Sequence, residues 1–280
     1  MTELILAHEP LIRLAAFGGV LAVVATWEAA APRRERGFSR WRRWPANLGV
    51  VAINTLLVRL LFPAAAAGTA VLAEAQAFGL LHRIDPPFAV SAIVTLLVLD
   101  LVIYLQHVLF HAVPALWRLH RMHHADLDFD VTTGARFHPI EIVLSMVLKL
   151  TVVAALGAPA AAAVLFEVVL NATAMFNHGN IRLPHKIDRV LRWVLVTPDM
   201  HRVHHSIVRE ETNSNFGFNL PWWDRLFGTY RAQPADGHGG MTIGIDQFRT
   251  ETDLRLDRML LQPLRGAIGR YPINRGETET

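Results

Sequence analysis

Five apolar stretches constrain the fold of this 280-residue chain more than any other feature. The hydrocarbon core of a bilayer is about 30 Å thick, and a helix needs roughly 20 residues to cross it. Because lipid offers no hydrogen bonds to the backbone, apolar runs of this length predict helices. The stretches are 11–31, 46–67, 88–110, 140–157 and 159–177. Residues 68–87 fit either an extension of the second stretch or an interfacial segment.

The composition indicates an integral membrane protein. Hydrophobic residues make up 52% of the chain and charged residues only 18%, whereas soluble domains carry about 25% charged residues. The chain has no cysteine, which excludes iron–sulfur clusters, thiolate-bound haem and cysteine zinc sites, so any metal must take nitrogen and oxygen ligands. The net charge is only +3. The sequence lacks the basic stripe with interleaved aromatic residues that would indicate a nucleic-acid partner.

Eight of the 14 histidines fall into three short motifs. The motifs are His107-x-x-x-His111, His120-x-x-His123-His124 and His201-x-x-His204-His205. Residues i, i+3 and i+4 share one face of a helix, so we expect each His-x-x-His-His triplet to direct three imidazoles to a single point. Eight imidazoles exceed the number that one metal ion usually takes, which predicts a two-metal site.

The positive charges predict how the chain crosses the membrane. Six arginines follow the first apolar stretch, whereas the residues before it include Glu3 and Glu9 and no lysine or arginine. A signal peptide begins with basic residues, so we interpret this stretch as an anchor and place the arginines in the cytoplasm. If successive stretches cross the membrane in alternate directions from this point, all histidine motifs lie at the cytoplasmic face. In a bacterium this would be the cytoplasmic face of the inner membrane. The arginines are Arg33, Arg34, Arg36, Arg40, Arg42 and Arg43.

The predicted fold class is all-α: a membrane bundle of four to five embedded helices with a cytoplasmic helical cap that carries the histidines. Gly157-Ala158-Pro159 predicts a tight turn between the last two stretches, which would enter the membrane and return to the same side. Residues 1–280 are interpreted as one domain, with a histidine-bearing core at about 95–232 and a disordered tail at 272–280. The sequence does not determine the oligomeric state.

Further candidates lie near the predicted membrane face. His178 follows the fifth apolar stretch, and His138 begins a His-Pro-Ile-Glu sequence before the fourth. Both are candidate metal ligands, and an interfacial polar histidine is the alternative for each. Asp199, two residues before His201, is either a helix N-cap or a residue that orients a ligand.

Asp100 and Tyr104 continue the stripe of His107 toward the membrane interior, at i−7 and i−3. A carboxylate inside an apolar span is costly and is usually paired. Asp100 is therefore predicted either to hold a ligand imidazole in its tautomer or to form an ion pair with Arg59 or Lys149.

Together these motifs resemble the membrane-bound fatty acid hydroxylase / sterol desaturase superfamily. The matching pieces cover about half of the chain in the family's order, and as a set they are highly specific. They are Asp100…Tyr104…His107-x3-His111, Leu116-Trp117-x2-His120-x2-His123-His124, Arg136-x-His138-Pro139, Asn177-His178, Thr197-Pro198-Asp199-x-His201-x2-His204-His205 and Pro221-Trp222-Trp223-Asp224-Arg225-Leu226-Phe227-Gly228-Thr229-Tyr230.

The resemblance implies a di-iron, O2-dependent oxidoreductase that hydroxylates or desaturates a membrane lipid. It implies two iron ions held by histidines and electrons delivered by a separate reductase chain, of ferredoxin or cytochrome type. The implied ligands are His107, His111, His120, His123, His124, His178, His201, His204 and His205, with His138 as an additional candidate. Some members have a His-x-x-x-His pair where this chain has only His178, with Ala174 and Arg182 on either side. Asn177 is expected beside the ligands, and it or His138 is a candidate for the tenth.

Two other functions compete with this interpretation. A zinc-dependent membrane hydrolase would typically place a carboxylate base among its ligands, as in His-Glu-x-x-His, but the inner residues of the two triplets are Arg-Met and Arg-Val. A non-catalytic metal-binding or transport protein would string ionisable residues through the bilayer. Here the histidines collect at one face, and only Asp100, Lys149, Glu167 and Arg59 lie deeper.

Overall fold

The structure is a computed structural model and describes residues 2–274. Over that range the chain is helical, with two isolated β-bridges and no strand. The prediction of an all-α fold is confirmed. The helices are α1 (Thr2–Ala7), α2 (Glu9–Ala30), α3 (Arg40–Leu61), α4 (Ala65–Ala75), α5 (Leu80–Ile84), α6 (Phe88–Ala112), α7 (Pro114–His124), α8 (Pro139–Leu156), α9 (Ala160–Asn177), α10 (His185–Leu191), α11 (Pro198–His204), α12 (Arg209–Thr212), α13 (Trp222–Leu226), α14 (Gly237–Gly240) and α15 (Leu256–Leu260). Short 3₁₀ turns occupy Thr133–Ala135, Glu251–Leu254 and Gln262–Leu264.

Five helical segments are long and apolar enough to cross a membrane, as the apolar stretches predict. They are Glu9–Ala30, Arg40–Ile84, Phe88–Ala112, Pro139–Leu156 and Ala160–Asn177. Within the second segment, α3 ends at Leu61, two residues before Pro63. The helix ends there because a residue that precedes proline disfavours the helical conformation. Helix α4 then packs against α8 and α9, and α5 packs against α8. Most of residues 68–87 therefore form separate packed helices and do not continue α3.

Helix α9 lies at the centre of the bundle, where it packs against α2, α4 and α6. Its first four residues, 160–163, are buried alanines, and small side chains let neighbouring helices approach closely. The predicted tight turn joins α8 to α9. Gly157 has φ +66° there, and a Cβ would lie 2.8 Å from the Phe78 carbonyl oxygen, so this position requires glycine.

The arginine-rich segment is tied to the loop that follows the first histidine triplet. Arg43 is fully buried and donates to Asp126 (Nη2–Oδ2 2.7 Å) and Asp130 (Nη1–Oδ2 2.6 Å). An unpaired buried charge is very costly, so these ion pairs fix α3 against that loop. Arg33 and Arg40 are also paired with carboxylates. Because these arginines neutralise charges within the protein, their placement in the cytoplasm stays a prediction.

The C-terminal segment closes over α7. Arg121 donates to the carbonyl oxygens of Gln262 (Nη2–O 2.7 Å) and Ala267 (Nη1–O 2.6 Å). The amide of Ile273 donates to the carbonyl oxygen of His111 at an N–O distance of 2.9 Å. Ile273 is thus hydrogen-bonded to the end of α6, within the tail that the sequence predicts to be disordered from residue 272. Residues 275–280 lie outside the described residues.

Candidate metal centre

Nine histidines converge where α6, α7, α9 and α11 meet. Helix α6 carries His107 and His111 one turn apart, α7 carries the first triplet, α11 and its C-cap carry the second, and His178 follows the last residue of α9. Pro114 and Pro198 occupy the first positions of α7 and α11, where the missing N–H costs nothing. Each triplet consequently falls at the end of a short helix. All nine rings are buried, at most 3% exposed.

The nine rings form two groups, each of which could hold a metal ion. The first group is His107, His111, His120, His124 and His204, and the second is His123, His178, His201 and His205. Within each group the candidate ligand atoms lie within 4.8 Å of one another. The expectation that each triplet serves a single point is wrong, because both triplets are divided between the groups. Adjacent helical residues point about 100° apart, so His123 and His124 face different groups, as do His204 and His205.

Hydrogen bonds fix the tautomer of three rings. Nδ1 of His107, His178 and His204 each lies 2.7 Å from a backbone carbonyl oxygen. A carbonyl oxygen can only accept, so each Nδ1 carries the proton and each Nε2 keeps a lone pair. These rings are therefore in the tautomer that binds a metal through Nε2.

The Nε2 lone pairs face one another across short distances. Nε2 of His107 is 3.1 Å from Nε2 of His120 and 3.0 Å from Nε2 of His204. Nε2 of His178 is 3.1 Å from Nε2 of each of the other three rings in its group. Unprotonated nitrogens repel at this distance unless a cation lies between them. Two nitrogens bound at right angles, about 2.1 Å from one metal, are about 3.0 Å apart, so the spacing fits metal ligation.

The surroundings keep these imidazoles neutral. Burial, followed by the charge that neighbouring imidazoles would carry, holds the pKa of His123, His124 and His205 well below the ordinary value. Burial lowers the pKa of His178 to about 3. Neutral imidazole is the form that ligates a metal, so the site is ready for metal at neutral pH.

Two residues that sequence reasoning missed hold rings of the first group. Oε1 of Glu141 accepts from Nδ1 of His120 at 2.7 Å, and Oδ1 of Asn213 lies 3.0 Å from Nδ1 of His111. A signal for Glu141 was present, because it is the only acidic residue in the fourth apolar stretch and such a residue needs a partner. Asn213 lies in a polar loop, and nothing in its sequence context distinguishes it.

His138 joins neither group, which corrects its prediction as a ligand. It is the N-cap of α8, where Nδ1 accepts from the amide of Ile140 at 3.2 Å. Its Nε2 lies 3.1 Å from the carbonyl oxygen of Leu260 and donates to it. Both ring nitrogens are thus engaged by the backbone, and neither is free to bind a metal.

Asp100 and Tyr104 hold the segment that follows the second triplet. Oδ2 of Asp100 accepts from the indole Nε1 of Trp223 at 2.8 Å, and the hydroxyl of Tyr104 lies 2.8 Å from Oγ1 of Thr229. Among the hydrogen bonds of the described residues, neither side chain reaches a histidine nitrogen. Both roles predicted for Asp100 are therefore wrong, because an indole N–H takes the place of an imidazole or a basic side chain.

Asn177 and Asp199 contact the surroundings of the histidines. Nδ2 of Asn177 donates to the carbonyl oxygen of Phe218 at 3.0 Å. Asp199 pairs with Arg33 (Oδ2–Nε 3.0 Å). The side chain that caps α11 is Thr197, so the N-cap prediction for Asp199 is wrong by two residues. Its carboxylate joins α11 to the arginine-rich segment instead of holding a ring of either histidine group.

The sequence comparison identifies the family. Residues 92–229 match the model of the family described as "Fatty acid hydroxylase", and this range contains all nine clustered histidines. The histidine-bearing core belongs to the fatty acid hydroxylase family. This confirms the resemblance that the motifs indicate.

Curated relatives of this fatty acid hydroxylase core cover about half of the chain. An ornithine lipid hydroxylase, OlsE, of Rhizobium tropici is 32% identical over 148 residues, 53% of this chain and 44% of that protein. The alkylglycerol monooxygenase of Xenopus tropicalis is 29% identical over 160 residues, 55% of this chain and 33% of that protein. The human alkylglycerol monooxygenase is 28% identical over 151 residues, 52% of this chain and 32% of that protein. The chain thus spans less than half the length of these relatives. No solved structure matches it.

A cavity of about 800 Å³ reaches the hydroxylase-family core from within the helical bundle. Side chains of α2, α3, α6, α8 and α9 surround it, and His107, His120 and Glu141 are among its lining residues. Much of the remaining wall is apolar, with Phe110 and Met146 among its residues. The volume is typical of small-molecule sites, which occupy roughly 300–1,000 Å³. Within the described part of the chain, the second histidine group contributes no residue to this wall.

Proposed function

We propose that this protein is a membrane-bound, di-iron, O2-dependent enzyme that hydroxylates or desaturates a lipid. The observation that carries the proposal is the pair of buried all-histidine groups beside a cavity among apolar helices. Two bound irons would supply the activation of O2 that attack on an unreactive C–H bond requires. The similarity to an ornithine lipid hydroxylase and to alkylglycerol monooxygenases supports a lipid substrate.

The residues that would hold the irons are the nine clustered histidines. One iron would be held by His107, His111, His120, His124 and His204, and the other by His123, His178, His201 and His205. Glu141 would act through His120: a carboxylate that accepts from Nδ1–H fixes the ring and makes Nε2 a stronger donor. Neither group is closed by a carboxylate ligand, and a metal that activates O2 would need a position that the protein does not fill.

Aromatic side chains would separate the irons from water and present the lipid chain to them. Phe137 stacks on His123 with ring centroids 4.4 Å apart, and Phe218 lies 5.0 Å from His107. Both rings line the cavity. An alkyl chain that contacts these two rings would exclude water from the carbon that lies beside the histidines.

The electron supply and the membrane orientation are part of the proposal. The sequence contains no cysteine, so it supports no iron–sulfur cluster, and a ferredoxin- or cytochrome-type protein would deliver electrons.

We place the histidine groups at the cytoplasmic face because the arginines that follow the first apolar stretch favour the cytoplasmic side of a membrane. The absence of cysteine allows a direct test with single-cysteine variants. An impermeant maleimide should label Gln76→Cys from outside intact cells, and Arg36→Cys only after permeabilisation; the reverse pattern would contradict the orientation.

The enzymatic proposal is tested by oxygen-isotope labelling of membrane lipids. Cells expressing the chain under ¹⁸O2 should accumulate an ¹⁸O-labelled lipid, or a lipid that has lost two hydrogens if the enzyme desaturates. The variants His123→Ala and His204→Ala should make neither product, whereas His185→Ala, which changes an exposed histidine, should match the unaltered protein. Products that persist in both cluster variants would contradict the site. Hydrolysed lipid alone, or metal movement into vesicles, would favour the zinc hydrolase or the transporter.

A further inference from the structure

An exposed apolar surface lies outside the five membrane-length segments, on α10, the turn that follows it and α13. The two helices meet there, because Nε1 of Trp222 donates to the carbonyl oxygen of Trp193 at 2.6 Å. Apolar patches exposed to water are rare on proteins and mark interaction sites. The side chains of this surface, the α10–α13 surface, are 45–70% exposed, and they are Ile187, Val190, Trp193, Val194, Trp222 and Leu226.

Helix α13 lies alongside α6, one of the membrane-length segments. Oδ2 of Asp100 accepts from Nε1 of Trp223 at 2.8 Å, and Phe227 stacks on Tyr104 with ring centroids 5.5 Å apart. Asp100 and Tyr104 precede Ala112, the last residue of α6, by about 18 and 12 Å along the helix axis at 1.5 Å per residue. The α10–α13 surface is therefore beside a membrane helix and not beyond its end.

The accessible charge of this surface is positive. Asp188 pairs with Arg192 (Oδ2–Nε 2.7 Å), and Asp224 accepts from two backbone amides at 2.8 and 2.9 Å. Both carboxylates are buried, whereas Lys186 and Arg189 are exposed. No ion pair within the described part of the chain involves either of these two cations. The α10–α13 surface thus carries four cations against two carboxylates, and the cations are Lys186, Arg189, Arg192 and Arg225.

Arg225 is held where α10 and α13 meet. Its guanidinium carbon lies 4.1 Å from the ring centroids of both Trp193 and Tyr230. Among the described residues its side chain makes one hydrogen bond, from Nη2 to the carbonyl oxygen of Arg192 at 3.1 Å. Nη1 is therefore left for an acceptor. Arg225 and Arg189 line one pocket of about 260 Å³.

We propose that the α10–α13 surface lies in the headgroup layer of the membrane, where Arg189 and Arg225 bind the headgroup of an anionic phospholipid. Tryptophan is enriched at membrane interfaces, and helices that lie in the interface combine an apolar face with lysine and arginine. Basic pockets beside membrane helices bind anionic headgroups. The inference goes beyond the proposed function, because this site is separate from the histidine cavity and binds lipid without oxidising it.

A soluble protein with an acidic surface is the competing occupant, since the same cations would attract it. The position of α13 favours the lipid. A bilayer that surrounds α6 occupies the space beside Asp100 and Tyr104, so a soluble protein would have to displace lipid to reach Leu226. Exposed tryptophans also suit the headgroup layer, where the ring contacts lipid and the indole N–H can bond.

The absence of cysteine allows the location to be tested with single-cysteine variants of the full chain. Val190→Cys, Leu226→Cys and the control Glu210→Cys, at an exposed position of α12, are labelled with a nitrobenzoxadiazole dye in nanodiscs. Doxyl-labelled lipid should quench the dye at positions 190 and 226, whereas aqueous iodide should quench it at position 210. Quenching of positions 190 and 226 by iodide and not by doxyl lipid would overturn the location and favour the soluble partner.

The headgroup site is tested by lipid competition. The purified chain is mixed with equal amounts of phosphatidylglycerol and phosphatidylcholine that have the same acyl chains, and native mass spectrometry measures the ratio bound. We expect an about fivefold preference for phosphatidylglycerol, the effect of one cation on an anionic lipid. Arg189→Gln and Arg225→Gln should each lower the preference and the double variant should abolish it, whereas Arg258→Gln, at an exposed position of α15, should retain it.

Equal binding of the two lipids to the unaltered protein, or a preference that survives in the double variant, would overturn the headgroup site. Metal content and size-exclusion profile show whether each variant keeps its fold. If Arg225→Gln does not fold, Arg189→Gln decides, because Arg189 is exposed. Neither experiment requires turnover, so the outcome is independent of the test of lipid oxidation.

Discussion

The two histidine groups differ in how the surrounding protein holds their rings. In the five-histidine group, Nδ1 of His107, His111, His120 and His204 each has an oxygen partner at 2.7–3.0 Å. In the four-histidine group, Nδ1 of His178 bonds to a carbonyl, but Nδ1 of His123 has no partner among the described residues. Only the five-histidine group borders the cavity. The protein thus restrains most strongly the rings nearest the expected substrate.

The largest effects are expected from removing the ring at the centre of each group. His107→Ala removes the Nε2 that faces two others, and His178→Ala removes the Nε2 that faces three. Each variant should lose about one metal per chain, and lipid oxidation should fall by roughly a thousandfold or more, as when residues that act as a unit are broken. Elemental analysis and lipid mass spectrometry measure the two quantities. A variant that keeps both metals would contradict the division into two groups.

Acidification should release metal from both groups. The pKa of an unfolded histidine is about 6.5, and burial lowers that of His178 in the folded protein to about 3. Between these values the unfolded chain binds protons that the folded chain excludes, so stability falls as the pH drops below about 6.5 and is unaffected above it. Protons also compete with metal. Dialysis at descending pH should deplete both groups of metal below about pH 6.5; metal binding that strengthens below this pH would contradict the prediction.

Glu141→Ala should produce a smaller effect confined to the five-histidine group. Loss of a carboxylate behind a metal-binding ring typically costs 10–100-fold in metal affinity. Glu141→Gln should be milder, because the amide oxygen still accepts from Nδ1 of His120. Metal competition with a chelator measures the change, and Glu210→Ala, at an exposed position of α12, serves as the matched control. Equal weakening of both metals would indicate that Glu141 supports the fold in general and not His120.

The smallest effect is expected from His138→Ala. This substitution removes the N-cap of α8, which typically costs about 1 kcal/mol of stability. Both metals should be retained, since neither nitrogen of His138 faces a histidine group. Thermal unfolding and metal content are measured together, and the loss of one metal would restore His138 as a ligand.

The sequence predicts what depends on local spacing. Hydropathy located the five membrane helices, and the His-x-x-His-His spacing identified the rings that come together. The division of each triplet between two groups was not predicted, because it depends on where α6 and α9 lie against α7 and α11. His138 was mistaken for a ligand because a histidine before proline fits both an N-cap and a metal site. The partnership of Asp100 with Trp223 spans 123 positions in the chain, and no local pattern indicates it.

The metal content of the anaerobically purified protein tests the central claim most directly. The two histidine groups predict about two irons per chain by elemental analysis, with His107→Ala and His178→Ala each retaining about one. Two zincs and no iron after anaerobic expression in iron-replete medium would contradict the di-iron proposal while leaving the histidine groups as metal ligands. No metal in a folded protein would contradict the metal centre itself.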